Sequence, residues 1–354
     1  MGSVKDLEII KLPTQEEMGI GRFHFSDRYS IFDWGEMPDQ IENKGVSLCI
    51  MGAYCFEKLE EQGIKTHYRG VLDQNGNLVK TDDLRVPTTI MEINLVRVIP
   101  PEPIQKNGVL RYDYQAYNPN LTNFVIPLEI IYRNSLPEGS SIFKRLRDKE
   151  ISLSDLGLDH LPEEGEELKS PIFDLSTKFE AKDRYISLEE AKRISGLQED
   201  EFGQIRERLR NINQLITRIA QRAGLKNEDG KIELAFDPHR KLMVADVIGT
   251  LDECRFTYQG LHVSKEVARL YYRKTEWYHY LLAAKEEAER EGLKDWKLLC
   301  RSQPERLDPK LKEIVSHMYQ ATTNECTGLD LFRVPSLSKI IKEYQNYLKE
   351  DLLN

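Results

Sequence analysis

The chain has 354 residues, which is too long for one ordinary core and suits two domains with additional elements. Hydrophobic residues make up 40% and charged residues 31%, so the composition is that of a folded globular protein and not of a disordered chain. The net charge of -9 argues against a nucleic-acid-binding protein, and no run of about 18 apolar residues predicts a membrane span. A local basic pocket for a small phosphate remains compatible with this charge.

The cysteines indicate a reducing environment. Their number is odd and none forms a CxxC pair, which argues against a disulfide framework in a chain of this length. We therefore expect a cytoplasmic protein whose cysteines are small buried apolar residues. The N-terminus has no apolar core behind a basic start, so no signal peptide is predicted.

The first third of the chain is predicted to contain short strands around one helix. Apolar-aromatic runs predict strands within 5–35, and helical spacing of apolar residues predicts a helix over 45–62. The DQNGN turn at 73–77 is typical of a hairpin, and 93–99 reads as a further strand. Residues 100–123 are rich in Pro, Asn and Tyr and are interpreted as an insertion or a domain connection.

The remainder of the chain alternates strands with longer helices. The segment 123–134 (NFVIPLEIIYRN) alternates between two faces and predicts a strand, whereas 150–170 is acidic and loop-like. A continuous apolar stripe predicts a helix over 201–224. KIELAFD and KLMVADVIG are predicted to be two strands joined by a DPHRK turn, and the chain from about 263 is mostly helical and charged.

The signatures of several common enzyme classes are absent. The sequence has no GxxxxGK[ST], GxGxxG, HExxH or GxSxG motif, and its seven histidines show no metal-ligand spacing. The commonest zinc-enzyme, dinucleotide-binding and serine-hydrolase interpretations are therefore excluded.

DRYSIFDWG places two carboxylates, a guanidinium and a hydroxyl within seven residues. These are Asp27, Arg28, Ser30 and Asp33, and an arginine is well suited to bind a carboxylate or a phosphate. A polar turn with local hydrogen bonds is the alternative interpretation.

Two further segments carry features of anion sites. NKGVS begins a predicted helix, whose free N–H groups and Lys44 favour an anion, although a solvated helix cap is the commoner case. Arg133 ends a predicted strand, and Ser140 and Ser141 are expected to cap the next helix, which carries Lys144. Together these predict a phosphate pocket, with a solvated basic helix face as the alternative.

The segment 231–255 is the most informative. Asp246 lies within an apolar run, where a carboxylate is costly to bury unless it is paired or binds a cation. Adjacent strands would bring Glu233 close to Asp246, and two carboxylates with nucleotide oxygens are a usual Mg²⁺ site. A buried pair between an aspartate and a lysine or arginine is the alternative. Lys231 and Arg255 lie nearby in the sequence.

In this order, the segments resemble the phosphoribosylaminoimidazole-succinocarboxamide synthase (SAICAR synthetase) family. That family shows a DRxSxFD stretch, a KG helix start, a PxExxxRN strand with Ser and Lys-Arg after it, a KxE strand, and an Asp strand with a TxDxxR-like turn. The corresponding segments here are DRYSIFD, NKGVS, PLEIIYRN with SSIFKRL, KIELAF and VADVIGTLDECR. EEGEELKSPIFDLSTKFEAKD also resembles the family's EGxxLxxPIxxxxxK stretch.

The resemblance implies an α+β fold of two lobes with a cleft between them, followed by a helical C-terminal extension. The expected division is 1–124, a β-rich lobe; 125–262, an α/β lobe with the substrate and metal motifs; and 263–354, the extension. It also implies an enzyme that uses ATP to join L-aspartate to carboxyaminoimidazole ribotide through an acyl phosphate. A homo-oligomer is compatible with the sequence.

The resemblance also assigns roles to residues. Glu233 and Asp246 would hold Mg²⁺, and Lys231 would lie near the ATP phosphates and take part in catalysis with them. The substrate-binding set implied for the imidazole nucleotide and the acceptor cleft is Asp27, Arg28, Ser30, Asp33, Lys44, Arg133, Ser141, Lys144 and Arg255.

Two departures from the family pattern affect the ATP site. The family's GKxK loop has no counterpart in PTQEEMGIGRFHF, where Lys11 and Arg22 are the nearby cations and become the candidate ATP ligands. The usual Asp-Glu pair is Asp246-Val247 here. A related kinase or ligase for another small acid and a non-catalytic nucleotide-binding protein are the alternatives; retention of both Glu233 and Asp246 argues against the second.

Overall fold

The computed structural model describes residues 4–106, 109–180, 183–291, 293 and 295–351. The strands, in chain order, are β1 (Lys5–Lys11), β2 (Gly19–Phe25), β3 (Tyr68–Leu72), β4 (Leu78–Val79), β5 (Ile90–Leu95), β6 (Glu102–Lys106), β7 (Val109–Asp113), β8 (Phe124–Ser135), β9 (Glu167–Thr177), β10 (Lys226–Phe236), β11 (Leu242–Ala245), β12 (Cys254–Tyr258) and β13 (Leu261–His262). The α-helices are α1 (Lys44–Glu60), α2 (Ser141–Arg147), α3 (Leu188–Ser195), α4 (Glu199–Arg222), α5 (Glu266–Arg273), α6 (Glu276–Glu291), α7 (Pro309–Thr327) and α8 (Leu337–Asp351).

The first sheet has the antiparallel strand order β1-β2-β5-β3-β4 and packs against α1. Alternation along β2 buries Phe23 and Phe25 and leaves the intervening residues partly exposed. Gly45 lets α1 approach the chain leaving β2, because a Cβ there would stand 2.8 Å from the backbone of Ser26. The predicted strands within 5–35, the helix and the hairpin at 73–77 are confirmed.

The second sheet has the strand order β13-β12-β10-β8-β9, and β11 also pairs with β10. The apolar face of β8 packs into the core as its alternation predicts; this face consists of Ile126, Leu128, Ile130 and Tyr132. The long helix α4 covers β10 and β8 with its apolar stripe. The two sheets are tied together where the His67 N–H donates to the Val244 carbonyl at 2.9 Å.

The segment 100–123, interpreted from the sequence as an insertion or a domain connection, contains the hairpin β6–β7, because a short two-stranded ribbon needs no apolar alternation. Two sequence predictions of secondary structure were wrong. The strand predicted over 93–99 spans Ile90–Leu95 instead. The strand that should have included Asp246 ends at Ala245, and Asp246 itself adopts φ 57, a left-handed conformation that no strand contains.

The helical C-terminal region is part of the core. Helix α7 packs against both α1 and α4, and its buried face includes Ile314, Met318 and Tyr319. None of the helices in the described ranges is long and apolar enough to cross a membrane. The predicted helical character from about 263 is confirmed, whereas the exact boundaries of the three predicted regions stay a prediction.

A buried ion pair joins the N-terminal helix, the turn before β12 and the C-terminal helices. The Lys44 ammonium, with its side chain 0% exposed, lies 2.8 Å from the Asp252 carboxylate. The Tyr319 hydroxyl of α7 donates to the second oxygen of Asp252 at 2.6 Å. Burial acts to raise the pKa of Asp252, but Lys44 and the other donors outweigh burial and lower the pKa.

We predict that Lys44→Met lowers the free energy of unfolding by about 3–5 kcal/mol, because it leaves Asp252 buried without its cation. Urea unfolding at neutral pH measures this. The pKa of Asp252 is lowered in the folded protein, so the stabilisation is present above the ordinary carboxyl pKa and is lost as the pH falls. Lys310→Met, which breaks an exposed pair with Glu350, is the control and should cost far less. Equal losses in the two variants would contradict this account.

Candidate active site

A cavity of about 580 Å³ lies between the N-terminal segment and the second sheet. Its walls come from Val4 and Lys5, the segment 30–33, strands β8, β10 and β12, and the start of α5. Several residues predicted from the sequence line it: Ser30, Asp33, Arg133, Ser141, Lys231, Asp246 and Arg255. A second cavity of about 620 Å³, between β13 and α8, contains none of the predicted residues. Charged side chains, and not size, therefore identify the first cavity as the candidate site.

Asp246, which lines one end of this cavity, and the neighbouring Glu233, which does not line it, are each paired with a lysine. Glu233 on β10 lies opposite Ala245 of β11, so its strand position is next to that of Asp246. The Lys5 ammonium is 2.6 Å from the Asp246 carboxylate, and Lys178 pairs with Glu233. The predicted proximity of the two acids is present, and in this structure both are neutralised by lysines.

The backbone at Asp246 is held by a neutral histidine. Burial lowers the pKa of His67 to about 4, so its imidazole carries no charge at neutral pH. The ring Nε2 is 2.8 Å from the Asp246 carbonyl oxygen and donates to it in the corresponding tautomer. This contact stabilises the left-handed turn that directs the Asp246 carboxylate away from the strand.

The pKa values of the two acids are shifted in opposite directions. Burial and the nearby Asp246 raise the pKa of Glu233, against the opposing effect of Lys178. At Asp246, burial is outweighed by Lys5 and Lys178, and the pKa is lowered. Two carboxylates fit the way proteins bind Mg²⁺ together with nucleotide phosphates. Among the described residues no group of three or more candidate ligands occurs, so the phosphates would have to complete the coordination.

Lys231 lies between the acids of the central strands. Its ammonium is 2.8 Å from Glu129 on β8 and 3.7 Å from Glu253. Burial acts to lower the pKa of Lys231, but the surrounding carboxylates outweigh burial and raise it. The side chain therefore stays protonated and presents a fixed positive charge to the cavity.

Arginines dominate the opposite end of the cavity. Arg133 lies 3.1 Å from Asp174 and also donates to the Ser141 hydroxyl at 3.1 Å. Arg255 pairs with Asp229, and the Arg145 guanidinium stacks 4.1 Å from the Tyr185 ring. Three guanidinium groups thus share two buried carboxylates, Asp174 and Asp229, which leaves excess positive charge for an anion.

A third part of the wall is acidic. Asp33 and Asp183 line the cavity together with Glu129. Asp183 is exposed, and desolvation by the surrounding protein, followed by the charges of Glu129 and Asp33, raises its pKa to about 6. A carboxylate with such a pKa changes protonation close to neutral pH, which suits it to proton transfer.

The other predicted site residues do not line the cavity and have partners within the chain. Lys11 pairs with Glu17 at 2.7 Å and Arg22 with Glu92 at 3.2 Å. Lys144 is exposed and pairs with Asp148. Arg28 pairs with Asp6 at 2.7 Å, and Glu233 and Lys44 are paired as described above.

The predicted anion site at the start of α1 is filled by the protein itself. The Asn43 and Gly45 N–H groups donate to the two oxygens of Asp27 at 3.1 and 2.9 Å. The expected hydroxyl cap of α2 was wrong, because Ser140 makes no capping hydrogen bond and Ser141 accepts from Arg133 instead.

Sequence reasoning missed eight charged residues that line the cavity, and also Lys178, which pairs with Glu233. The eight are Lys5, Glu129, Asp183, Asp229, Asp252, Glu253, Lys265 and Arg269. Lys178 and Asp183 lie in or beside the PIFDLSTKFEAKD stretch, so the motif itself was the signal. Lys5 precedes the first strand, where a cation beside a sheet edge could have been considered. Lys265 and Arg269 belong to the C-terminal helices, and no pattern in the sequence connects them with the cavity.

Comparison with known proteins shows which family the chain belongs to. The SAICAR synthetase family profile matches residues 13–281. A protein of Archaeoglobus fulgidus with the provisional name phosphoribosylaminoimidazole-succinocarboxamide synthase is 47% identical over 99% of this chain and 100% of its own length. The enzyme of that name from Thermoplasma acidophilum is 32% identical over 86% of this chain and 92% of its own length. The SAICAR synthase structure from Saccharomyces cerevisiae, solved with SAICAR, shares the fold at a TM-score of 0.62 and 18% identity, covering 93% and 94% of the two chains.

The fold and the relatives define an ATP-dependent carbon–nitrogen ligase of mixed α and β structure. The chain belongs to the SAICAR synthetase family. The activity of this family is the one predicted from the sequence, the ATP-dependent joining of L-aspartate to carboxyaminoimidazole ribotide in purine biosynthesis. The α+β fold, the family and the ligase function predicted from the sequence are thereby confirmed.

Proposed function

We propose that the 580 Å³ cavity is the active site and that its three charged regions bind the three substrates separately. The observation that carries this proposal is the segregation of charge: acids paired with lysines at one end, arginines at the other, and between them an acidic wall in which Glu129 and Asp33 contact Lys231 and Lys285. ATP and the imidazole nucleotide both carry phosphates, whereas L-aspartate, although a net anion with two carboxylates, also carries an ammonium that an acidic wall can bind.

ATP would bind at the end that contains Lys5, Lys231 and Asp246. Leu7 and Ile9 lie on the same face of β1 as Lys5 and are 47% and 53% exposed, which makes them available to cover an adenine ring. Lys5 and Lys231 would contact the phosphates. Lys11 and Arg22, the candidates from the sequence, are held by Glu17 and Glu92 and would act less directly.

Asp246 and Glu233 would hold Mg²⁺ with the ATP phosphates, in exchange for their present pairing with Lys5 and Lys178. When bound, the metal neutralises charge on the transferring phosphoryl group. After this exchange Mg²⁺ would be the counterion of the two acids, and the released lysines would remain beside the phosphates.

The imidazole nucleotide would bind at the arginine end. Arg133, Arg255 and Ser141 supply donors for its phosphate, and Lys265 and Arg269 of α5 add positive charge to the same wall. Asp27 and Lys44 would support this end only indirectly, by fixing the start of α1 and the turn that contains Asp252. Arg28 and Lys144 would not contact the imidazole nucleotide.

The reaction would follow from this arrangement. The acceptor carboxylate oxygen attacks the γ-phosphorus of ATP, forming an acyl phosphate and releasing ADP. The amine of L-aspartate then attacks the acyl carbon, the C–N bond forms, and the C–O bond to phosphate breaks. Asp33 and Glu129 attract the substrate ammonium, and Asp183 takes one of its protons so that the amine lone pair can attack. The second proton leaves with the departing phosphate.

The five cysteines are free thiols, which agrees with the proposed location in a reducing cytoplasm. A homo-oligomer stays a prediction.

We predict that the purified protein, given ATP, Mg²⁺, L-aspartate and carboxyaminoimidazole ribotide, forms ADP and the succinocarboxamide product in equal amounts. Asp246→Asn should remove most turnover, about 100-fold or more, because one proposed metal ligand loses its charge. Circular dichroism establishes that the variant is folded. A folded Asp246→Asn protein with a near-normal rate would refute the metal assignment, and absence of product with the unaltered protein would refute the function.

We predict that Lys5→Ala raises KM for ATP and lowers kcat by about tenfold in total, because it removes a cation from the phosphate end. Lys11→Ala is the matched control on the same strand and should change both constants by less than about twofold, since Lys11 is exposed and paired only with Glu17. Steady-state kinetics with ATP varied decides this. If Arg22→Ala changes KM for ATP and kcat more than Lys5→Ala does, Arg22, as first predicted from the sequence, would be the residue that contacts the ATP phosphates.

We predict that kcat/KM for L-aspartate falls as the pH drops through about 6, because protonated Asp183 cannot accept the proton of the amine. Asp183→Asn should lower kcat/KM at neutral pH and remove this acidic limb of the profile. Glu180→Gln, which changes an acid three residues earlier that pairs with Arg184, is the control and should keep the limb. Persistence of the limb in Asp183→Asn would exclude this role.

A further inference from the structure

The segment that presents Asp33 to the cavity has an unfavourable backbone conformation. Phe32 and Asp33 adopt φ 52 and φ 62, and Gly35 follows at φ 96. Two consecutive non-glycine residues in the left-handed region are costly and persist only where surrounding structure holds them. The support for this segment therefore has to come from neighbouring elements.

The support comes from aromatic side chains of the C-terminal helices. Phe32 lies 4.8 Å, between ring centroids, from Tyr278 of α6. Trp34 packs edge-on against the buried Trp277 at 5.4 Å and also contacts Trp296 at 5.8 Å. Each such contact contributes beyond its buried area, and three of them flank the strained residues on both sides.

A charge contact reinforces this packing. The Lys285 ammonium of α6 lies 2.8 Å from the Oδ2 atom of Asp33, and it also lies over the Trp296 ring at 4.8 Å. The Asp33 side chain is 83% exposed, so without Lys285 its rotamer would be free to turn into solvent. Lys285 and Trp296 do not line the cavity themselves.

We propose that Lys285 and Trp296 are positioning residues for L-aspartate: through its Oδ2 atom they hold the Asp33 carboxylate at the cavity wall, where the other oxygen, Oδ1, accepts a hydrogen bond from the substrate ammonium. This inference rests on the proposed role of the acidic wall. The proposed positioning of Asp33 gives the C-terminal helices a function in the reaction, in addition to their packing in the core. A preoriented carboxylate spares the substrate the entropic cost of ordering that side chain on binding.

The test measures KM for each substrate in Lys285→Met and Trp296→Ala. We expect KM for L-aspartate to rise about three- to fivefold, the size of an exposed but well-aligned ion pair, with kcat and KM for ATP changed less than about twofold. Lys285→Arg should restore most of the loss. Lys274→Met, which breaks the exposed pair with Asp351 in the same helical region, is the control and should leave all constants unchanged.

A double-mutant cycle separates positioning from general support of the fold. If Lys285 acts through Asp33, Lys285→Met should have no further effect on KM for L-aspartate in an Asp33→Asn background. An equal rise in both backgrounds, or a rise in KM for ATP of the same size, would overturn the proposal. If Trp296→Ala does not fold, the lysine variants alone decide. Normal product formation by the unaltered protein keeps these outcomes distinct from a failure of the proposed function.

Discussion

The contact among Lys44, Asp252 and Tyr319 determines how the rest of the structure is assembled. It places a lysine of the N-terminal helix, a carboxylate of the turn before β12 and a hydroxyl of α7 in one buried group. Because a buried carboxylate without a cation is strongly unfavourable, none of these elements can move away independently. The walls of the cavity are fixed in this way, since Asp252 itself lines the cavity.

Pairing of carboxylates with cations also organises the cavity. Each carboxylate at the proposed ATP end has a lysine as its partner, and the arginine end contains more cations than acids. Lysines that release an acid when Mg²⁺ arrives are still close enough to contact phosphate. The charged side chains of the free protein therefore already lie near the positions in which they would contact the substrates. Little reorganisation of these side chains is needed when the substrates bind.

The C-terminal helices contribute both to the main core and to the cavity. Helix α7 lies against α1 and α4 in the main core, α5 brings Lys265 and Arg269 to the cavity, and α6 contacts the segment around Asp33. In a protein without these helices the turn at Phe32 and Asp33 would lack its aromatic neighbours. We therefore regard the helical region as a part of the catalytic structure and not as an appendage.

The sequence by itself determined the family and the ordered motifs around Arg133, Lys231 and Asp246. It also determined the alternation of β8 and the helices α1 and α4. Short-range periodicity and the order of motifs are properties of neighbouring residues, so they can be read without the tertiary structure. The pairing of Lys5 with Asp246, the occupation of the α1 start by Asp27 and the contact of Lys285 with Asp33 were decided only by the tertiary structure. These partners are 16 to 252 positions apart in the chain, and their distance in space depends on the packing of whole sheets and helices. The residue that follows β11, Asp246, likewise contacts His67, which lies in another part of the chain.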